Sequence, residues 1–179
     1  MDNNIWVFGY GSLLWRPGFN FIDRQVGYIE GWVRCFYQGS PDHRGIPGAP
    51  GRVVTLLPKS QSKCWGVAYQ ISADSYHTTF SYLDHREKCG FNRYKLEFRS
   101  QDNLLYNVYT YVASNDNPDY LGPAPMLDMA KQIYHSKGPS GTNSEYLLKL
   151  AESLRSMEVV DQHVFELEKN LQKIQQQTD

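Results

Sequence analysis

The run Val7-Phe8-Gly9-Tyr10-Gly11-Ser12-Leu13 places two glycines around a tyrosine directly after an apolar stretch. Glycine at both positions reads as a tight turn whose bare backbone comes close to something. Successive N–H groups in such a turn form a concavity suited to an anion or a carboxylate. An ordinary structural turn accounts for the same spacing, and the two readings stand side by side. A dinucleotide fingerprint requires a further glycine where Leu14 stands and a helix after it, which Pro17-Gly18 breaks. A nucleophile elbow centred on Ser12 fails at the same Leu14.

A second candidate is Glu87, in the run Tyr82-Leu83-Asp84-His85-Arg86-Glu87-Lys88-Cys89-Gly90. Positions 76, 80, 83 and 87 fall at helical spacing, so Glu87 continues the stripe of Tyr76, Phe80 and Leu83. In a last helical turn the dipole disfavours an anion. Burial and dipole together are expected to raise the pKa of Glu87, the condition for a general base or acid near neutrality. The plainer alternative is a glutamate in a fraying turn that reaches solvent or pairs with Arg86.

The loop between Gly39 and Gly51 carries Asp42-His43-Arg44 and ends before Arg52. Two arginines on flexible backbone can hold a substrate carboxylate bidentately, while a surface pair from Asp42 to Arg44 is the bland reading. Gly138-Pro139-Ser140-Gly141 before a capped helix offers a second set of backbone donors, or simply a connecting turn. The five histidines (43, 77, 85, 135 and 163) form no H-x-x-x-H pair and no cluster with cysteine, so no metal is expected. Cys89, near Glu87, reads as a redox-sensitive thiol or a half-buried structural cysteine.

The elements that must position these residues are punctuated by glycine and proline. Seven of the thirteen residues from Gly39 to Gly51 are one or the other, which requires an irregular loop. Strands are expected at Ile5–Gly9, Val26–Gln38, Arg52–Leu57, Cys64–Ile71, Tyr94–Arg99 and Leu105–Ala113, rich in β-branched and aromatic residues. The last of these has bulky groups on both faces, as if one met a core and the other a lined cavity. Helices are expected over 74–87, from Pro125 to about Ser136 with Gly138 as a cap, and from Thr142 to about Met157. Thr142 with Glu145 matches a capping box. A final helix over 161–175 carries Val164, Leu167, Leu171 and Ile174 on one stripe, with a frayed tail at 176–179. Strands precede helices in blocks, which argues for α+β.

With 179 residues, one domain over 1–179 is the economical reading. A formal net charge of −1 does not suit a nucleic-acid binder held by phosphate contacts. Three scattered cysteines exclude a disulfide scaffold. Met1-Asp2-Asn3-Asn4 lacks the regions of a signal peptide, and no apolar run is long enough for a membrane span. A reducing, cytosolic setting is expected, with no membrane, nucleic-acid or obligate protein partner.

Six motifs then occur in order: Val7-Phe8-Gly9-Tyr10-Gly11-Ser12-Leu13, Asp42-His43-Arg44-Gly45, Pro50-Gly51-Arg52-Val53, Tyr82-Leu83-Asp84 with Arg86-Glu87, Asn117-Pro118-Asp119-Tyr120-Leu121-Gly122-Pro123, and Gly138-Pro139-Ser140-Gly141. Over about Ile5 to Met157 the chain resembles the ChaC family of glutathione-specific γ-glutamylcyclotransferases. The resemblance implies a cytosolic, cofactor-independent enzyme that cleaves glutathione to 5-oxoproline and cysteinylglycine. It implies a mixed β-barrel with flanking helices, a γ-glutamyl site at Val7–Leu13 and Glu87 as the catalytic carboxylate. In that setting Arg44 and Arg52 become candidates for the glycine carboxylate of glutathione. Activity on other γ-glutamyl amino acids or amines, a non-catalytic glutathione-binding module and an adaptor using the last helix are the competing readings.

Overall fold

The first apolar run forms strand β1 (Ile5–Gly9) in a computed structural model that describes residues 5–178. A 3-10 turn at Ser12–Leu14 leads to β2 (Asp23–Ser40), β3 (Gly51–Ile71), α1 (Tyr76–Arg86), β4 (Phe91–Ser100) and β5 (Leu105–Ala113). Then come α2 (Met126–His135), the two-residue strands β6 (Lys137–Gly138) and β7 (Gly141–Thr142), α3 (Asn143–Ser156) and α4 (Gln162–Thr178). The larger strands thus precede most of the helices, the α+β order expected from the sequence. Two compact units are distinguishable: one draws on the chain up to Val33 and on Leu56–Ser114, the other on Arg34–Thr55 and the chain from Asn115 onward.

The larger strands close into a barrel in the order β1-β3-β2-β4-β5. Strand β1 runs antiparallel to β3, from Ile5 opposite Ile71 to Gly9 opposite Val67. It runs parallel to β5, with Trp6 opposite Val108, which makes the barrel mixed. Phe8 and Phe98 pack with ring centroids 5.6 Å apart, and Trp6 lies 4.6 Å from Tyr106. On the opposite face of β1, Val7 joins Leu13, Ile71, Phe80, Leu83 and Tyr111 in a buried apolar cluster. Phe80 and Leu83 come from α1, so the helical stripe read from the sequence is what docks that helix. It is α1 that covers the tyrosine face of β5, with Phe80 edge-on to Tyr109 at 5.2 Å.

Two strands expected at Arg52–Leu57 and Cys64–Ile71 are in fact one, β3. The polar stretch between them looks like a break because its apolar alternation stops. It nevertheless carries the strand on without a break, with residues 58–61 exposed and Gln61 making a local left-handed step at φ 61°.

In the second unit α2, α3 and α4 share a core of Met129, Ile133, Leu147, Leu150, Leu154, Val164, Leu167 and Leu171, all fully buried or nearly so. Pro125 precedes α2 as its N-cap, and Thr142 Oγ1 accepts from the Glu145 N–H at 3.2 Å to cap α3. Gly138 does not cap α2. The chain leaves that helix at Ser136 in an extended conformation, and Gly138 pairs with Gly141 in a small hairpin. Asp161 opens α4 through its carboxylate, which accepts from the Val164 N–H at 3.1 Å. The helix continues to Thr178, past the expected fray at 176. Asp179, and residues 1–4 on which the leader reading rests, lie outside the described residues.

His163 on α4 gives this unit a pH dependence. The Phe36 N–H donates to His163 Nε2 at 3.0 Å, so that nitrogen must be unprotonated. Burial holds the imidazole below its ordinary value of 6.5. The folded state then binds fewer protons than the unfolded one, so stability is full above pH 6.5 and falls as pH drops from there toward the lowered folded value. We expect the thermal midpoint to decline between pH 7.5 and 5.5, and His163→Gln to flatten that decline. An unchanged slope in the variant would assign the loss to another group.

Candidate active site

Strand β1 delivers the glycine turn. Gly9 must lack a side chain because a Cβ there would come within 2.6 Å of Leu13 Cβ. The chain folds back through Gly11 into the Ser12–Leu14 turn, where the Leu14 N–H donates to Gly11 O at 3.0 Å and the Arg16 N–H to Ser12 O at 2.8 Å. Surrounding side chains hold the turn by its carbonyls and its tyrosine. Tyr69 donates to Leu13 O at 2.7 Å, Thr110 to Phe8 O at 3.0 Å, and the Tyr10 hydroxyl to Tyr111 O at 2.5 Å. Val7, Phe8, Tyr10 and Leu13 are all buried. Four bulky anchors therefore fix the backbone of Gly9, Gly11 and Ser12.

Glu87 is the residue just past the end of α1, where the sequence placed it in the last turn. Its N–H still donates to Leu83 O at 2.8 Å. Its side chain is half-buried, and its Oε1 lies 3.9 Å from Arg86 Nε. Arg86 Nη2 in turn donates to Ser12 Oγ at 2.8 Å. One guanidinium thus brings the glycine turn and the carboxylate of Glu87 to the same place.

The helix that carries Glu87 is secured to the barrel by a group the sequence reading missed. Asp84 accepts from the Tyr111 hydroxyl at 2.5 Å and from Arg93 Nη2 at 2.6 Å. Arg93 and Tyr111 are directly opposite each other on β4 and β5. The hydrogen bond from Arg93 holds the Asp84 carboxyl below the usual carboxylate range, whereas burial first, and the bond to Asp84 second, push the Tyr111 hydroxyl up. Asp84 one helical turn before Glu87 was the only local signal, and its partners lie on other strands.

Arg44 and Arg52 belong to the second unit and are engaged inside it. Arg44 Nη1 donates to Thr142 O at 2.9 Å and to Glu145 Oε2 at 2.8 Å, and the guanidinium lies 5.7 Å from the Tyr146 ring centroid. Asp42 instead approaches His43, at 3.6 Å. Arg52 is buried, with Nε on Gln132 Oε1 at 2.7 Å and Nη1 on Phe36 O and Gly122 O at 3.0 and 2.9 Å. The Gly138–Gly141 hairpin uses its backbone internally too, the Ser140 N–H donating to His43 O at 3.0 Å. Among the described residues no cluster of three His, Cys, Asp or Glu is placed to hold a metal ion. None of the described helices is long and apolar enough to cross a membrane.

The closed mixed barrel has a solved counterpart. The chain superposes on the crystal structure of a γ-glutamyl cyclotransferase specific to glutathione from yeast with a TM-score of 0.90, at 29% identity and over 95% of this chain and 96% of that one. Residues 5–174 match the family model described as ChaC-like protein. The chain belongs to that ChaC-like family. It is 43% identical to Gamma-glutamylcyclotransferase 2-3 of Arabidopsis thaliana, over 95% of this chain and 89% of that protein. It is 44% identical to Glutathione-specific gamma-glutamylcyclotransferase 1 of Homo sapiens, over 84% of this chain and 70% of that protein.

Proposed function

We propose that this chain is a lyase that degrades reduced glutathione by γ-glutamyl cyclotransfer, releasing 5-oxoproline and cysteinylglycine. The names of its relatives supply the substrate class. The observation that carries the mechanism is the meeting of the glycine turn and Glu87 through Arg86, whose Nη2 and Nε lie 2.8 Å from Ser12 Oγ and 3.9 Å from Glu87 Oε1.

In this reading the residues from Val7 to Leu13 form the γ-glutamyl site, with backbone N–H groups receiving the α-carboxylate. Glu87 removes a proton from the α-ammonium, and the free amine attacks the γ-carbonyl carbon. A ring C–N bond forms and the carbonyl becomes a tetrahedral oxyanion, which donors of the turn stabilise. The ring nitrogen gives up its second proton through Glu87, and collapse of the intermediate breaks the bond to the cysteinyl nitrogen. That nitrogen takes both protons by way of Glu87 and leaves as an ammonium. Both protons lost by the α-ammonium end on the leaving amine and Glu87 returns to its carboxylate form, so the cycle calls for no cofactor. The nucleophile is tethered to its target, and correct positioning supplies about 7–11 kcal/mol in well-oriented intramolecular reactions.

Arg44 and Arg52, read from the sequence as a clamp for the glycine carboxylate, are assigned here to the scaffold because acceptors of their own unit already occupy them. A cytosolic setting belongs to the same reading, as does a single domain over 1–179, since β2 and β3 each run unbroken through both units.

The direct test is mass spectrometry of purified protein mixed with millimolar reduced glutathione. Equimolar 5-oxoproline and cysteinylglycine are expected. No product from glutathione but 5-oxoproline from γ-glutamylalanine would redirect the substrate assignment, and binding without turnover of either would overturn the enzyme.

A further inference from the structure

The end of α1 presents two side chains one turn apart, Tyr82 and Arg86, to the segment that follows the glycine turn. Arg86 Nη2 donates to Ser12 Oγ at 2.8 Å, and Nη1 donates to Arg16 O at 2.8 Å and Pro17 O at 3.0 Å. Nη1 also donates to the Tyr82 hydroxyl at 3.1 Å. That hydroxyl occupies the space a Cβ on residue 18 would need, and Gly18 has φ +75°, so only glycine lets the tyrosine close on the chain here. The Arg86 side chain is 14% exposed and touches Glu87, the next residue, through Nε.

We propose that Arg86 is a positioning residue for the ring closure, a clasp that ties Ser12–Pro17 to the end of α1 and so keeps the substrate turn in register with the carboxylate of Glu87. The proposal rests on the cyclotransferase reading above. Three features argue for it. The donors of one planar fork reach the side chain of Ser12 and two successive carbonyls beyond it, a pattern that a point charge on a flexible stem does not reproduce. Ser12 Oγ accepts from Arg86, which leaves its own proton to be donated elsewhere, as toward a substrate α-carboxylate. The same guanidinium adjoins Glu87, so a shift of either partner is felt by the other. Ring closure needs the α-amine, held through the turn, and the proton acceptor at one fixed separation, and a displacement of about 1 Å costs on the order of a hundredfold in rate.

The experiment compares wild type, Arg86→Lys, Arg86→Ala, Ser12→Ala and the Ser12→Ala/Arg86→Ala double variant for 5-oxoproline release from glutathione. Hydrogen exchange at residues 14–16 is followed in parallel. Arg86→Lys keeps the charge and the stem, and its circular dichroism is expected to match wild type. Its kcat/KM is expected to fall about tenfold or more, mostly in kcat, and Arg86→Ala to fall about a hundredfold and recover in part with free guanidinium. The Ser12 and Arg86 effects should be markedly less than multiplicative. The amides of Leu14, Trp15 and Arg16 should exchange faster in both Arg86 variants, while those of β5 do not change. Wild-type kcat in folded Arg86→Lys and Arg86→Ala, independent Ser12 and Arg86 effects, or unaltered exchange at 14–16 would each overturn the clasp. A wild-type chain that releases no 5-oxoproline would instead overturn the cyclotransferase reading and the proposal's catalytic role with it. These failures are distinguishable because the first set requires an active parent enzyme.

Discussion

Replacement of Glu87 by glutamine is expected to lower kcat for 5-oxoproline release by about a thousandfold, within the span that general acid–base catalysis contributes. The amide has the shape of the carboxylate and leaves the main-chain bond from residue 87 to Leu83 O untouched. The apolar contacts that dock α1 belong to Phe80 and Leu83, and its polar anchor is Asp84, so the helix end should stay in place. What the amide cannot do is accept the ammonium proton and return it to the leaving nitrogen. Glutathione affinity, measured by calorimetry, should change by less than about tenfold because the substrate contacts assigned to the turn are intact. A Glu87→Gln chain that turns over at the wild-type rate would remove Glu87 from the mechanism. Loss of binding and activity together would point to a structural or substrate-holding role for the carboxylate.

A comparably large effect, on stability rather than rate, is expected for Arg52→Ala. The guanidinium is buried and donates to Gln132 Oε1, Phe36 O and Gly122 O, and burial depresses its pKa without neutralising it. Truncation strips three acceptors of their charged donor inside a closed environment, where each unsatisfied group costs about 1–3 kcal/mol. Three neutral acceptors near the lower end of that range total about 3–5 kcal/mol. For a chain of this size each kcal/mol corresponds to about 2–4 °C, so the thermal midpoint should fall by roughly 10 °C. Measured well below that midpoint, KM for glutathione should stay within about twofold of wild type, since no substrate contact would have been lost. A preserved midpoint with a raised KM would return Arg52 to carboxylate recognition.

The contrast between Glu87 and Arg52 shows what the sequence can reveal about such a site. Local patterning located β5, read and observed at Leu105–Ala113, because alternation and its bounding turns lie within one segment. It also placed Glu87 near the end of a helix whose buried stripe is made by Phe80 and Leu83, since helical spacing is a local property. Arginines are harder to read because the fork finds its acceptors by tertiary folding. Arg86 looked like a partner for its neighbour Glu87, while Ser12, Arg16 and Pro17, distant in sequence, take most of its donors. Gly138 resembled a helix cap for a similar reason. It is glycine because the main chain of His43 and Gly45 comes too close for a Cβ, an approach no local pattern records. The capping box at Thr142 and Glu145 was half legible. The hydroxyl caps as expected, but the Glu145 carboxylate is drawn to Arg44 and Lys149.

The mixed pairing of β1 also sets the order in which the molecule can be assembled. This strand has no hydrogen-bonded neighbour nearby in the chain: Gly9 waits for Val67, and Trp6 for Val108. Loop closure over such separations is entropically expensive and slow compared with the hairpin of β4 and β5, which forms from adjacent sequence. On a ribosome β1 is made before β5 and receives its second neighbour only after β5 has emerged. The glycine turn therefore precedes four of the five barrel strands in sequence but acquires its shape near the end of barrel closure. A nascent or truncated chain that stops before residue 105 would hold the Ser12 segment on one flank alone, so activity should appear late in folding, with the closure of the barrel rather than with the docking of α1.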